Sequence, residues 1–231
     1  MEFKDSYKIE DLLEIMRILR SENGCVWDRE QDHKSIRSSM IEEAYEAAEA
    51  IDLEDADKLC EELGDVLLQV VFHARIEEES GGFDFDDVCD GICKKLILRH
   101  PHVFGDVKVR DSSEVLDNWE EIKKKEKGQR SAKETLEGVS KALPALMRAT
   151  KIYGKAAKAG VGSRDVGETM RAFREKFEAF ESEVDSGGNG AEKTGEMLFA
   201  AAGLFKALGV DAEEQLAAYC DSFIESFDCK N

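Results

Sequence analysis

Proline is nearly absent from this chain, which has two prolines among 231 residues. Because proline interrupts the hydrogen-bond ladder of a helix, its scarcity leaves long unbroken stretches and favours helices over a loop-rich β architecture. Apolar residues also recur with helical period along most of the chain. Residues 8–21, for example, place on one stripe Ile9, Leu12, Leu13, Ile15, Met16 and Leu19. The sequence therefore predicts an all-α protein.

Helix breakers mark where several predicted helices end. The helical period predicts helices over about residues 35–51, 52–78, 83–99 and 112–127, in addition to the first one at residues 8–21. The first helix is predicted to end before Asn23-Gly24, the third at Gly81-Gly82 and the fourth at His100-Pro101. Residues 25–34 have no clear period, and we expect an ordered loop there.

The chain is strongly acidic, with 32 Lys+Arg against 51 Asp+Glu and a formal net charge of −19. Binding to DNA or RNA requires cations that neutralise phosphates, so this charge argues against a general nucleic-acid-binding protein. No window approaches the ~18 consecutive apolar residues of a membrane span, and the N-terminus lacks the pattern of a signal peptide. Six cysteines without a regular framework fit reduced thiols. We therefore expect a cytoplasmic protein without nucleic-acid or membrane partners.

The charge is unevenly distributed along the chain. Residues 1–130 carry 19 basic and 34 acidic side chains, a balance of −15, whereas residues 131–231 carry 13 and 17, a balance of −4. A polar, lysine-rich stretch separates the two parts. This shift predicts two domains, at residues 1–130 and 131–231.

A weak internal repeat relates the two predicted domains. Residues 61–75 match residues 192–206, so that Asp65 is paired with Glu196, and Gly64 is likewise paired with Gly195. A second pair of segments, EEAYEAAE and REKFEAFE, begins at positions 42 and 174. Chance similarity between two amphipathic helices is the competing explanation, but two matched pairs favour related helical units.

Acidic residues are concentrated at helical spacing on two consecutive predicted helices. One helix carries Glu42-Glu43-x-x-Glu46 and the next carries Glu62-x-x-Asp65. Residues three or four apart share a helix face, so the carboxylates form two stripes that repel one another unless cations neutralise them. Carboxylate oxygens suit Mg²⁺ or Mn²⁺, and Mg²⁺ bound in this way commonly bridges to phosphates of a substrate. A solvated acidic face is the simpler explanation for one cluster alone, whereas two clusters embedded in apolar sequence favour a metal site.

Longer stretches around these motifs resemble a known family. The run MIEEAYEAAEAIDLEDADKLCEELGDVLLQVVFHARIEEESGGFDFDDVC, then KKLILRHPHVFGDV and SSEVLDNWEEIKKKEK, closely resembles MazG-type nucleoside triphosphate pyrophosphohydrolases. The preceding WDREQDHKSIR is also similar, with Val26 where the family usually has proline. The resemblance is strong over about residues 8–128 and weaker over residues 140–161.

The resemblance implies an all-α fold in which a four-helix bundle is completed by dimerisation of two chains. It implies a house-cleaning enzyme that hydrolyses nucleoside triphosphates between the α and β phosphates, with Mg²⁺ or Mn²⁺, to the monophosphate and pyrophosphate. The family's metal ligands correspond to Glu43, Glu46, Glu62 and Asp65. Glu42 is then the candidate catalytic residue, as the base that orients the attacking water or as a ligand through water.

Two further pairs of residues are candidates for substrate binding. Lys95 and Arg99 lie one helical turn apart, and Arg can bind phosphate in a bidentate manner. Trp119 and Lys123 repeat this spacing on the next helix, and the family uses such a Trp near the nucleotide and such a Lys near its phosphates. Exposed helix positions for the basic residues, and a core or interface position for Trp119, are equally consistent with the sequence.

The corresponding acidic motifs are eroded in the second predicted domain. The segment matching EExxE reads Arg174-Glu175-Lys176-Phe177-Glu178, and the segment matching ExxD reads Lys193-Thr194-Gly195-Glu196. Positive charge therefore replaces two carboxylates. We predict that this domain binds no catalytic metal and has a structural or dimerising role.

Three alternatives remain open from the sequence. A di-iron or di-manganese protein would need paired Glu-x-x-His motifs, and only Glu30-x-x-His33 is present. A zinc site from Cys89, Cys93, His100 and His102 is disfavoured by the C-x₃-C spacing within a helix. A non-catalytic module that dimerises or docks another protein is the third, and the intact acidic motifs of the first domain argue against it.

Overall fold

The computed structural model describes residues 3–126, 128 and 131–228. Within these residues the protein forms twelve helices and no strand, which confirms the predicted all-α fold. The chain divides into two compact units between Val115 and Leu116. The division into domains at residue 130 stays a prediction.

The first unit contains six complete helices. They are α1 (Ile9–Leu19), α2 (Val26–Glu30), α3 (Arg37–Asp52), α4 (Ala56–Ser80), α5 (Phe85–Arg99) and α6 (Pro101–Phe104). A seventh helix, α7 (Ser112–Glu126), begins in the first unit and ends in the second. The second unit continues with α8 (Ala132–Glu137), α9 (Ala145–Lys158), α10 (Val166–Asp185), α11 (Ala191–Leu208) and α12 (Ala212–Asp228).

Helices α3 and α4 form a hairpin that organises the first unit. The turn between them is three residues long, and Glu54 adopts a left-handed conformation there, with φ of 54°. The Asp55 carboxylate then caps α4, accepting hydrogen bonds from the backbone N–H groups of Asp57 and Lys58. Such a cap satisfies backbone donors that a helix leaves unpaired at its N-terminus. The turn and cap together fix the register of α4 against α3.

The core of the first unit lies where α1 packs against α4. Met16, Ile36, Val71 and Phe72 are buried there, surrounded by partly buried residues of the predicted α1 stripe such as Leu12 and Leu13. Burial of apolar surface is the main source of stability for such a contact. The helical period therefore located this face correctly.

Local details differ from the expectations in three places. Val26–Glu30 form the short helix α2 within the predicted loop. Pro101 ends α5 as expected but also begins α6, where its missing N–H is not needed. Gly24 does not cap α1, which ends at Leu19; instead, a Cβ at this position would lie 2.2 Å from the Ile18 carbonyl oxygen, so only glycine fits the close approach.

Helix α11 is the centre of the second unit, where it packs against α9 and α10. Ala202, Gly203 and Leu204 are buried. A Cβ on Gly203 would lie 2.4 Å from the ring of Tyr153, so the glycine admits this ring between α9 and α11. The repeated segments lie on the α3–α4 hairpin of the first unit and on the α10–α11 hairpin of the second.

None of the helices in the described part of the chain is long and apolar enough to cross a membrane.

Candidate active site

Three carboxylates converge on one side of the α3–α4 hairpin. Glu43 comes from α3, and Glu62 and Asp65 lie one turn apart on α4. An oxygen of each of these side chains lies within 4.8 Å of an oxygen of the other two. All three side chains are half-buried, so they are held at the surface of the packed hairpin. We call these residues the carboxylate cluster.

Two more predicted acidic residues flank the carboxylate cluster. Glu46 follows Glu43 by three residues on α3, and its nearby carboxyl group helps to raise the pKa of Glu43. Glu42 is exposed and adds negative charge beside Glu43. The five acidic positions expected from the two motifs therefore share one surface.

The carboxylate cluster concentrates negative charge, and none of its three carboxylates forms an ion pair with another residue that the structure describes. Partial removal from water raises the pKa of Glu43, and the nearby carboxylates of Asp65 and Glu46 raise it further. Partial removal from water also raises the pKa of Glu62, as does Glu46. Such a set of oxygen atoms fits a hard divalent cation, because a cation would remove the repulsion that the raised pKa values report.

Lys58 is a cationic neighbour that the sequence motifs did not indicate. Its ammonium group pairs with the Glu49 carboxylate, which raises the pKa of Lys58. It also partly offsets the acidic neighbours that act on Glu62, one turn further along α4. The i, i+4 spacing of Lys58 and Glu62 was the available signal.

Gly64 lies between the two α4 members of the carboxylate cluster and faces open space. A Cβ built on Gly64 has no atom within 4 Å, and the same holds for Gly195 in the matching segment of α11. Neither residue has a positive φ. Glycine in a helix interior costs stability relative to alanine, and no packing within the chain explains it at these two positions.

The predicted substrate-binding residues lie on two helices. Lys95 is exposed and Arg99 half-buried, one turn apart at the end of α5 in the first unit. Trp119 and Lys123 lie on the part of α7 that belongs to the second unit, where Lys123 Nζ is 3.4 Å from a carboxylate oxygen of Glu120. Binding of a nucleotide by these four residues stays a prediction.

The matching surface of the second unit has an internal ion pair in place of an open cluster. Glu196, which the repeat pairs with Asp65, lies with its carboxylate 2.6 Å from Lys176 Nζ and 2.9 Å from Lys193 Nζ. Hydrogen bonds from these two ammonium groups lower the pKa of Glu196 to about 2. The carboxylate is thus already neutralised by the protein. Lys176 reaches Glu196, a pairing that the sequence comparison did not single out.

Two histidines that share no sequence spacing meet in the first unit. His33 Nδ1 lies 2.7 Å from His73 Nδ1, and His33 Nε2 lies 2.9 Å from Glu77 Oε1. The Glu77 carboxylate accepts a hydrogen bond from His33 Nε2, which orients the His33 ring so that its other nitrogen meets His73. His33 therefore contacts α4 and does not pair with Glu30 in a Glu-x-x-His site. Of the described residues, only Glu43, Glu62 and Asp65 bring three possible metal-ligand atoms within 4.8 Å of one another.

Comparisons with known proteins agree with these features. A family model described as the MazG nucleotide pyrophosphohydrolase domain matches residues 31–104, which include the whole α3–α4 hairpin. A "nucleoside triphosphate pyrophosphohydrolase" of Escherichia coli K12 is 42% identical over 226 residues, covering 95% of this chain and 86% of the relative.

Two further relatives are also similar to this chain in sequence, one over nearly the whole chain and one over part of it. A "nucleoside triphosphate pyrophosphohydrolase/pyrophosphatase MazG" of Thermotoga maritima is 40% identical over 218 residues, covering 94% of this chain and 83% of the relative. An "uncharacterized protein YabN" of Bacillus subtilis is 56% identical over 138 residues, or 60% of this chain and 28% of the relative. The residues that match the family model form an acidic helical hairpin, and the similarity to two of these relatives extends along nearly the whole chain. The chain therefore belongs to the MazG nucleotide pyrophosphohydrolase family.

Proposed function

We propose that the protein hydrolyses nucleoside triphosphates between the α and β phosphates, releasing the nucleoside monophosphate and pyrophosphate. The convergence of Glu43, Glu62 and Asp65 carries this proposal, because it provides a site for a divalent cation at residues that match the family. The relatives named as nucleoside triphosphate pyrophosphohydrolases, similar over most of their length, support the same substrate class.

The carboxylate cluster would hold Mg²⁺, with Mn²⁺ as the alternative. Its donors are all carboxylate oxygens, which these hard cations prefer, and no thiol or imidazole is in the cluster. Glu46 adds a fourth carboxylate next to Glu43. When bound, the metal would polarise phosphate oxygens and lower the pKa of a bound water.

The other predicted residues have complementary roles in this proposal. Glu42, exposed beside Glu43, would orient the attacking water and accept its proton. Lys95 and Arg99 would bind the triphosphate by charge-assisted hydrogen bonds. Trp119 would contact the base, and Lys123 would contact phosphate.

Dimerisation belongs to the same proposal. Large apolar side chains are exposed on α3, α4 and α5. They include Tyr45 (57% exposed) on α3, Leu63 (53%) on α4 and Ile92 (49%) on α5. A small soluble protein rarely leaves so many large apolar side chains in water on neighbouring elements. A second copy of the chain would cover them and complete a four-helix bundle.

An assay of pyrophosphate and monophosphate release from a panel of nucleoside triphosphates tests the proposed activity. We expect turnover with Mg²⁺, none with EDTA, and a loss of about 100-fold or more in Glu43→Gln and Asp65→Asn, because a missing ligand weakens transition-state stabilisation by several kcal/mol. Glu178→Gln, at the position of the second unit that matches Glu46, is the control and should retain activity.

Three outcomes would contradict the proposal. The first is activity in Glu43→Gln and Asp65→Asn together with its loss in Glu178→Gln. The second is release of orthophosphate alone, which would mean cleavage at a different anhydride bond. The third is no turnover of any nucleoside triphosphate by the folded wild-type protein, which would favour the alternative of a non-catalytic dimerising or regulatory module.

A further inference from the structure

The second unit contains a cleft whose charge is opposite to that of the chain as a whole. The cleft has a volume of about 590 Å³ and lies between α7, α9, the segment after α9, and α11. A smaller recess of about 250 Å³ adjoins it and shares Glu120, Lys123, Lys151 and Lys155. The basic residues that line the two are Lys123, Lys124, Lys151, Lys155, Lys158, Arg164 and Lys206. We call this the basic cleft.

Two carboxylates pair with these cations: Asp117, whose Oδ1 lies 3.5 Å from Lys158 Nζ, and Glu120, which belongs to the lining. Glu120 lies 3.4 Å from Lys123 Nζ and 3.6 Å from Lys155 Nζ. Partial burial opposes ionisation of Glu120, but these ammonium groups hold its pKa below the ordinary value. The Glu120 carboxylate therefore organises the lysines of the two helices without cancelling their combined charge.

Three cations of the basic cleft have no counterion in the part of the chain that the structure describes. Lys151, Arg164 and Lys206 are exposed, and none of them forms an ion pair or a side-chain hydrogen bond there. Like charges held close together repel, and an acidic chain offers many carboxylates that could have neutralised them. Their concentration in a concave site is what an anionic ligand requires.

The floor of the basic cleft is fixed by packing inside the second unit. The hydroxyl of Tyr153 donates a hydrogen bond to the carbonyl oxygen of Ser163 at 3.1 Å, which holds the segment after α9 against that helix. The Tyr153 ring in turn lies against Gly203 and within 5.8 Å of the Phe199 ring on α11. The helices that carry the cations are therefore held together by packing. Little conformational entropy is then lost in ordering the site when a ligand binds.

The spacing of the cations indicates the length of the ligand. Lys151, Lys155 and Lys158 follow one face of α9 at intervals of one turn, so their Cα atoms span about 10 Å along the helix. A single phosphate can contact only part of such a row, whereas linked phosphates can contact several members at once. The acidic remainder of the chain disfavours a long polyanion such as a nucleic acid.

We propose that the basic cleft is a second anion site of this protein, which binds a chain of two or more linked phosphates, as in pyrophosphate or the phosphate tail of a nucleotide. Its ligands are Lys151, Lys155 and Lys158 of α9 with Arg164 and Lys206, none of which belongs to the carboxylate cluster. Lys123 also lines the basic cleft but is assigned to the substrate in the proposed function, so it is not counted among these ligands. The site needs no metal, because lysine and arginine supply the charge. It gives the degenerate second unit a binding role that does not depend on its lost acidic motifs.

Calorimetric titration of the full-length protein with inorganic pyrophosphate in EDTA tests this site. Without divalent cations the carboxylate cluster repels phosphate, so binding there cannot be mistaken for binding in the basic cleft. We expect saturable binding of one pyrophosphate per chain, weakening as salt is raised. Lys151→Gln with Lys206→Gln should weaken it at least about tenfold, the usual effect of losing charge-assisted bonds.

Controls separate a specific site from general attraction. Lys133→Gln with Arg171→Gln removes two charges from the same unit outside the basic cleft and should leave pyrophosphate affinity unchanged. Asp65→Asn should also bind normally, whatever its catalytic activity, so the outcome does not depend on the proposed hydrolysis. Absence of saturable binding to the wild type, or equal weakening in the two double variants, would overturn the proposal.

A second titration identifies the source of the phosphates. It uses a nucleoside triphosphate analogue with a methylene group between the α and β phosphates, and it is compared with pyrophosphate and orthophosphate. Tighter binding of the analogue identifies a nucleotide ligand, and equal binding identifies the diphosphate group itself. Orthophosphate binding as tight as pyrophosphate would overturn the inferred ligand length.

Discussion

Asp65 and Glu196 are matched residues with opposite surroundings. Asp65 faces two other carboxylates within 4.8 Å, whereas the Glu196 carboxylate lies between two ammonium groups at 2.6 and 2.9 Å. A bound cation would balance the negative charge around Asp65. The negative charge of Glu196 is already balanced by the ammonium groups of two lysine side chains. A difference of a few residues thus separates an open acidic cluster from a closed ion-pair network.

The low pKa of Glu196 predicts how the second unit responds to acid. The pKa is about 2 in the folded protein and 4.5 ordinarily, so the folded state holds fewer protons between these values. Its contribution to stability is complete above pH 4.5 and is lost as the pH falls towards 2. Carboxyl-carbon NMR titration should give a pKa near 2, rising towards the ordinary value in Lys176→Gln. A Glu196 titration unchanged by this substitution would contradict the ion-pair assignment.

The individual site residues show what local spacing can and cannot reveal. Glu62 and Asp65 were predictable as a pair, because three residues along a helix always bring two side chains to one face. Glu43 joined them because the two helices are consecutive and connected by a short turn. The contact between His33 and His73 was not predictable, since it joins residues 40 positions apart and depends on how the segment before α3 folds back onto α4.

At the scale of elements, α4 connects the functions of the first unit. Its first half carries Glu62 and Asp65, its middle carries the core residues Val71 and Phe72, and its second half carries His73 and Glu77. The same helix thus carries the carboxylate cluster, the core contacts with α1 and the contacts with His33.

The histidine pair predicts a pH-dependent attachment of the segment before α3 to α4. Partial burial, and then the nearby His33, lower the pKa of His73 below its ordinary 6.5. The unfolded chain therefore binds more protons than the folded one between these values, so stability is full above pH 6.5 and falls as the pH drops towards the lowered pKa. Denaturant unfolding measured from pH 8 to 5 should show this slope.

A variant comparison isolates the contribution of this histidine. His73→Gln should flatten the pH dependence of the free energy of unfolding, while His102→Gln, on α6, should keep the wild-type slope. Equal slopes in the wild type and in His73→Gln would show that other groups cause the loss of stability in acid.

The helices themselves were largely predictable, with errors that have physical causes. Long helices such as α4 and α5 repeat their apolar pattern over several turns, and Gly81, in a left-handed conformation with φ of 78°, ends α4 as expected. Helix α2 has five residues, too few for a helical period to become visible. Gly24 was misread as a cap because its role depends on the Ile18 carbonyl, a contact that no local pattern reports.

At the scale of the whole molecule, exposed apolar side chains predict self-association. Ile92→Lys places a charge among apolar residues of α5, so we expect it to shift the protein from dimer to monomer in light scattering after size-exclusion chromatography. Val161→Lys is the control, since Val161 is exposed on a loop outside these helices. A monomeric wild-type protein, or equal dissociation of both variants, would contradict the predicted interface.

Alanine substitutions at the two open helix glycines, Gly64 and Gly195, distinguish an effect on stability from an effect on catalysis. Alanine at Gly195 should raise the free energy of unfolding by about 0.5–1 kcal/mol and leave turnover unchanged, because nothing occupies the space beside it. Alanine at Gly64 should give a similar gain in stability but slower turnover, since its methyl group would project beside Glu62 and Asp65. Full activity in Gly64→Ala would refute this.

Gly64 leaves an open space between Glu62 and Asp65 that the methyl group of an alanine would occupy. Alanine would stabilise the helix at either Gly64 or Gly195, but only Gly64 lies between two residues of the carboxylate cluster, and there we expect a nucleotide or a second copy of the chain to use the open space. Stability given up for function is a recurrent compromise in enzymes. At Gly64 the group given up is the single methyl group by which alanine differs from glycine.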